Sequence, residues 1–385
     1  MKIRALAVLL VFTAAGALRA GTPEAVVETA APKGDALLDK IWSIPKLYRD
    51  DHNSVIEEFD LIGRFQEDYY NVDSNRGSTS FFEIRRFRLG VDAFFAERHI
   101  EVEAEVDTAL RAYHSPSIFY NRMTNLWVRF QASEEFGLRV GKFQPHVGYD
   151  REFSNNYLKT FERGFFDDQL IGTTDYITGA EVSGKFGHFG YLAAVYSTDV
   201  DKEFGQFDGG QAYQAEINYD FSKPWNAKKA LWVLDYLHAD GKNENTNVFT
   251  NYRNVLVTYL DLEKGRFSLV PQFAYGEQVA GKGDVYSLQL MPGYMITDKL
   301  EFFVRYQLGL ASESNGISTL NRQQKTVGVF TGDTYNACYL GLNYYVYGHR
   351  LKLMFAEEYA RLSGGTGPSA GYSGWTTLVG LRLFF

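Results

Sequence analysis

The chain has 385 residues, 16% of them aromatic, with 36 Gly, 9 Pro, one Cys and a formal net charge of −8. A single Cys excludes a disulfide framework and any multi-thiolate metal site. The acidic balance argues against nucleic acid as a partner, because phosphate neutralisation needs clustered Lys and Arg, and the aromatic and charged content excludes long disorder as the main state.

Residues 1–20, MKIRALAVLLVFTAAGALRA, place Lys2 and Arg4 before a short apolar run and end on small residues, with Ala20 suited to the cleavage position. This is the pattern of a secretory signal peptide, and the run is too short for a spanning helix. Its removal takes away Lys2, Arg4 and Arg19 and no acid, which moves the net charge from −8 to about −11. An exported chain with one Cys fits a bacterial envelope better than a disulfide-rich secretory route. Residues 21–53 lack period-two alternation. The stretch 21–34 reads as a flexible tail and 35–51 as holding a short helix before Pro45, together a periplasmic extension packed on a barrel rim.

From about residue 55 apolar and polar residues alternate, the signal of half-buried strands. In 86–94, Phe87, Leu89, Val91 and Ala93 oppose Arg86, Arg88, Gly90 and Asp92. In 99–110, Ile100, Val102, Ala104 and Val106 alternate with Glu101, Glu103, Glu105 and Asp107. Four acids on one strand face need water or cations, and Arg86 and Arg88 on the neighbouring strand can supply the cations, as a cross-strand ladder with Glu103 and Glu105. The pattern recurs at 126–132, 136–141, 212–221, 299–310 and 375–385. Tight connectors (97–99, 133–135, 187–188, 222–227, 263–265, 297–299, 347–349) alternate with longer ones near 71–80, 111–118, 143–175, 198–211, 239–251, 276–284, 311–332 and 362–372. Fifteen connectors join sixteen strands, at roughly 23 residues per strand and connector, which suits a membrane-crossing barrel. A soluble sandwich shows similar alternation. The regular short–long sequence of connectors, paired aromatics at strand ends (Tyr69, Tyr70, Phe81, Phe82, Phe94, Phe95, Tyr344, Tyr345) and a terminal Phe385 on an alternating strand favour an all-β transmembrane antiparallel barrel over residues 54–385, with short periplasmic turns, long external loops and a constricting third loop.

Three stretches, EIRRFRLGVDAFF (83–95), LWVRFQASEEFGLRVGKFQPHVGYD (126–150) and NNYLKTFERGFF (155–166), resemble the phosphate-selective porin family of the O and P type. The likeness lies in the Arg-rich second strand, the RVGKFxPxxG segment leading into a long third loop, the Glu162–Arg163 pair and the late LGLNYYVYGHRLKLMF (340–355). The resemblance implies a sixteen-stranded porin set in outer-membrane lipid, usually a homotrimer, with loop three folded into the lumen.

Such a barrel encloses an aqueous channel, and charges at its constriction set ion preference. Alternation turns Arg64, Arg86, Arg88, Arg129, Arg139, Arg305, Lys352 and Arg382 inward, with Glu101, Glu103, Glu105, Asp107, Glu216, Asp220, Glu301 and Glu358. The candidate pore-lining residues are Arg86, Arg88, Glu103, Glu105, Arg129 and Arg139 on the wall and Arg151, Lys159, Glu162 and Arg163 in loop three. The basic members could attract phosphate or a carboxylate. The family's lumen has a dense ladder of Arg and a ring of Lys. Here loop three has few Lys and the third strand is heavily acidic, which speaks against strong phosphate selectivity. The reading is therefore passive diffusion of small solutes and inorganic ions, with general, cation-preferring or sugar-preferring passage, or a plugged structural barrel, as alternatives. Some outer-membrane barrels are enzymes, but no GxSxG, HExxH or phosphate-binding glycine loop occurs. HADGKNEN (238–245) lacks calcium-loop spacing and reads as external loop. No catalytic, cofactor or metal site is expected.

Overall fold

The alternation after residue 55 becomes sixteen antiparallel strands in the computed structural model, which describes residues 35–108, 119–171, 176–199, 202–241, 252–278, 283–319 and 321–385. In chain order they are β1 Ile56–Ser74, β2 Gly77–Phe95, β3 Ile100–Thr108, β4 Tyr120–Ser133, β5 Phe136–Phe143, β6 Ile177–Phe186, β7 Phe189–Ser197 and β8 Gly210–Asp220. The second half comprises β9 Lys229–Gly241, β10 Tyr252–Lys264, β11 Phe267–Gln278, β12 Val285–Met295, β13 Leu300–Ala311, β14 Thr334–Tyr347, β15 Leu351–Ser363 and β16 Tyr372–Phe384. Each strand pairs with the next, and β16 returns to β1 from Gly374 opposite Ser74 to Phe384 opposite Arg64. Closure leaves no open edge among these strands, as a bilayer requires. The outer face is apolar and exposed, as in Leu126, Val128 and Phe130 of β4 and Leu353 and Phe355 of β15. Cys338 sits on this outer face.

Seven short turns lie at one end. The eight remaining connectors lie at the other, and all but the first run to six residues or more. The exception corrects an expectation. Residues 71–80 are not a long loop but the ends of two 19-residue strands joined by Asn75–Arg76. Strands of that length reach roughly 60 Å, well past the 9–11 residues that cross a bilayer, so this hairpin projects outward. The expected loop at 111–118 and residues 242–245 of HADGKNEN lie outside the described residues. The paired aromatics are also corrected. Tyr69 and Tyr344 face outward, but Tyr70, Phe94 and Tyr345 are buried on the inner face. Consecutive strand residues point to opposite faces, so only one of each pair can join a membrane girdle.

The short helix expected before Pro45 is α1, Ala36–Ser43. Its Trp42 indole N–H donates to the Phe384 carbonyl at 2.7 Å, and the Tyr347 hydroxyl donates to Asp39 at 2.6 Å. The following residues Lys46–Arg49 pair with β1, with Lys46 opposite Asp60. Phe385 and Gly63 exchange two backbone hydrogen bonds, and the next bond along β1 runs from Leu61 N–H to Pro45. Residues 45–49 thus continue the wall where the C-terminal strand ends.

Loop three, described over residues 144–171 and at Tyr176, turns into the barrel. Its Phe161, Phe165, Phe166 and Leu170 are at most 5% exposed. On the inward face of the second half of the barrel, Phe161 clusters with Val270, Met291, Phe303 and Tyr339, and Phe165, Phe166 and Leu170 cluster with Val257, Ala274, Tyr335 and Ala337. The ring of Phe165 fills the hollow left by Gly309, and the ring of Phe161 that left by Gly380. A side chain at either glycine would evict the ring above it. Gly309→Val is expected to lower the thermal midpoint by a few degrees, about 1–3 kcal/mol of overpacking, as read by the gel-mobility shift between folded and unfolded barrel.

Candidate pore and constriction

The described part of loop three is tied to the wall strand by strand. Gly148 N–H donates to Asp235 on β9 at 3.0 Å, and Tyr149 N–H to Gln272 on β11 at 2.8 Å. Lys159 pairs with Glu301 on β13 at 2.6 Å, and its carbonyl accepts from Asn343 on β14 at 2.8 Å. Arg305 on β13 donates to the Glu162 carbonyl at 3.0 Å and to Thr160 at 3.3 Å. Lys352 on β15 donates to the carbonyls of Leu158 and of Asn156, the latter at 3.3 Å. Within the loop, Arg151 forms an ion pair with Asp167, and Arg163 donates to the Asp150 carbonyl at 3.2 Å. The loop-three cations expected to attract solute are therefore engaged in holding the loop. A buried cation without partners would cost several kcal/mol, and these partners supply its compensation.

The first five strands carry charges in rows across the wall. Register sets Arg64, Arg88, Asp107 and Arg122 side by side on β1 to β4. Nearer the short turns, Asp60, Asp92 and Glu103 form a second row, and Glu101, Arg129, Arg139 and Glu181 a third. Arg88 lies 3.4 Å from Glu105 and 3.5 Å from Asp107, Arg139 lies 2.9 Å from Glu181, and Arg129 lies 3.6 Å from Glu101. Arg64 pairs with Glu105, and Glu103 accepts from Asn125. The expected ladder of Arg86 and Arg88 against Glu103 and Glu105 is thus only partly formed. Arg88 reaches Glu105, but Glu103 stands opposite Asp92, and Arg86 donates to Gln66 at 2.7 Å. The register is offset because β3 begins at Ile100, opposite Phe95, and ends opposite Arg88.

A β-bulge opposite Gln66 and Glu67 makes Arg85 the extra residue of β2. Such a bulge re-aims a side chain, and here both Arg85 and Arg86 face loop three. Arg85 grips both oxygens of Glu162, one of them at 2.9 Å, and Arg86 lies 3.7 Å away. Burial opposes the charge of Glu162, and the guanidiniums of Arg85 and Arg86 outweigh it, holding the carboxyl well below the usual range. Glu162 thus tethers loop three across the lumen to β2. Glu162→Gln removes that carboxylate, so the reversal potential of the variant in a salt gradient should move toward the anion side.

The space left open lies between loop three and the wall of β1 and β3 to β5. It is a cavity of about 360 Å³ lined by Arg64, Glu105, Trp127, Arg139, Tyr157 and Tyr176, among others, reaching Trp42, Tyr347 and Phe384 at the end with the short turns. Beside β13 to β15 the space shrinks to about 10 Å³ between Arg305, Glu358, Asn321 and Tyr335, room for about one water. There the loop before β14 turns inward, with Asn321 donating to Glu358 at 3.2 Å and Arg322 pairing with Glu83 at 2.6 Å.

A closed barrel with an inward third loop and a charged inner wall is an architecture shared with known proteins. Residues 59–249 match the family model for phosphate-selective porin O and P. Over residues 59–249 the chain carries the pattern of this porin family. No curated protein matches it in sequence. Among solved structures, this porin resembles OprB of Pseudomonas putida at high pH, with a TM-score of 0.61 and 11% identity over 85% of this chain and 94% of that one. It also resembles an anion-selective porin from Comamonas acidovorans, with a TM-score of 0.60 and 13% identity over 85% and 99% of the two chains. The outer membrane channel DcaP of Acinetobacter baumannii gives a TM-score of 0.57 and 11% identity over 88% and 100%. The protein is an outer-membrane porin, a channel for small solutes.

Several lumen residues of the porin escaped the sequence reading. Arg85 was hidden because strict alternation turns one of two adjacent arginines outward, and the doublet itself was the available sign of a bulge. Arg122 precedes the stretch read as the fourth strand. Glu181 was legible in the alternation of 177–186. Tyr176 carried no signal.

Proposed function

We propose that the porin passes small hydrophilic solutes and ions along the wall of β1 to β5 with a weak anion preference, phosphate-sized oxyanions among the permeants. Arg86, Arg88, Glu103, Glu105, Arg129, Arg139, Arg151, Lys159, Glu162 and Arg163 would line or hold this constriction. The observation that carries the reading is the row of Arg64, Arg88 and Arg122 at one height of the wall. Three cations against Asp107 in that row favour an arriving anion, and the acidic row of Asp60, Asp92 and Glu103 behind it limits the preference. In the same proposal residues 1–20 are removed on export, residues 21–53 form a periplasmic extension, residues 54–385 form the barrel, and three copies assemble. An outer membrane protein of Vibrio cholerae with this fold has a trimer form. The aromatic lining of the cavity, Trp127, Phe143, Tyr157 and Tyr176, supports a second reading in which neutral sugars pass.

The test is the reversal potential of the purified protein in a planar bilayer under a KCl gradient. An anion-side potential with current reduced by phosphate is expected. A cation-side potential would overturn the anion preference, and current reduced by a sugar but not by phosphate would favour the second reading.

A further inference from the structure

Tyr176 stands where loop three meets Arg88 and Arg122 of the cationic row, while Ser154 of the same loop accepts from Arg64 at 3.4 Å. Its hydroxyl accepts from Arg88 Nη1, and its ring lies 4.9 Å from the Arg88 guanidinium and 5.9 Å from that of Arg122. Tyr176 is only 7% exposed, yet it lines the cavity. The Arg122 side chain keeps about a third of its surface exposed, 32%. Arg88 beside it is 1% exposed. The ring therefore stands between the chamber of about 360 Å³ that it lines and the guanidinium of Arg122, which is not among the residues lining that chamber.

We infer that Tyr176, clasped by Arg88 and Arg122, is the residue that sets the size limit of the channel. An aromatic ring close to two guanidiniums is held by cation–π attraction. It presents a flat wall while keeping both cations close to a passing solute. Most bonds of loop three run to β9, β11 and β13 to β15, with Ser154 reaching Arg64 of β1 and Glu162 reaching Arg85 of β2, so its bulk narrows the lumen from the far side. Tyr176 acts on the near side, where space remains. This inference rests on the protein being a channel, which the family pattern over residues 59–249 supports, and does not depend on the sign of its ion preference.

The experiment compares single-channel conductance and the exclusion of polyethylene glycols of graded size for the full-length wild type, Tyr176→Ala and Tyr176→Phe. The alanine variant should conduct about two-fold more or better and admit a larger polymer. The phenylalanine variant keeps the ring and should keep the wild-type cut-off. Equal conductance and equal cut-off for wild type and Tyr176→Ala would overturn the inference. If Tyr176→Ala fails to give a heat-modifiable folded barrel, Tyr176→Ser is held to the same standard. A silent wild type with a conducting alanine variant would support the role of Tyr176 and refute free passage in the native state. Silence in both would refute both.

Discussion

Deleting residues 149–166 should raise single-channel conductance about several-fold and lower thermal stability at the same time. The conductance rises because this segment covers the inner face from β9 to β16 and leaves a cavity of about 360 Å³ beside β1 and β3 to β5. Stability falls because Tyr259, Phe303 and Tyr339, each at most 2% exposed, lose their cover. Exposing a large apolar side chain costs about 1.5–3 kcal/mol, so the loss spans several such terms. Planar-bilayer conductance and the temperature of the gel-mobility shift measure the two effects together. Unchanged conductance in a folded deletion barrel would mean that loop three is not the constriction.

The second large effect is expected for Arg305→Ala. The Arg305 side chain is 2% exposed, lies 3.4 Å from an equally buried Glu358, and donates to the Glu162 carbonyl and Thr160 of loop three. Its guanidinium also sits 5.0 Å from the Tyr339 ring. Removing it leaves Glu358 with the amides of Asn321 at 3.2 Å and Gln324 at 3.3 Å but without its cation. Breaking one side of a buried pair costs about 3–5 kcal/mol, whereas replacing both sides by apolar groups is often close to neutral. Arg305→Ala should therefore lower the unfolding midpoint sharply, and Arg305→Met with Glu358→Leu should recover most of the loss. A double variant as unstable as the single one would show that the contacts to loop three, and not the pairing with Glu358, are what matters at this position.

The strand pattern was legible for a physical reason. A wall between lipid and lumen needs opposite polarity on its two faces, and the face alternates at every residue. Arg64, Arg86, Arg88, Arg129, Arg139, Arg305, Lys352 and Arg382 are all at most 7% exposed on the inner face, as their parity required. Connector spacing gave sixteen strands for a related reason, since bilayer thickness limits how soon the chain can turn. Residues 71–80 broke that logic because a hairpin that continues beyond the membrane leaves no change in pattern at its boundary.

Pairing partners were another matter. Alternation states which face a side chain takes but carries no information about height along the neighbouring strand. Asp92 opposite Glu103, and Arg86 with Gln66, follow from where β3 starts. Arg85 turned inward through a single extra residue in β2. Loop three was recognisable as long, and its rings fit hollows at Gly309 and Gly380 that are more than a hundred residues away in the chain.

Face polarity, strand number and export are properties of local pattern and length, so they can be read from the order of residues alone. The position of the open cavity, the engagement of Arg151, Lys159 and Arg163 in holding the loop, and the closure at Tyr176 depend on long-range packing. They exist only once the barrel has closed and loop three has bonded to its wall, because each of those contacts joins residues that no local periodicity relates.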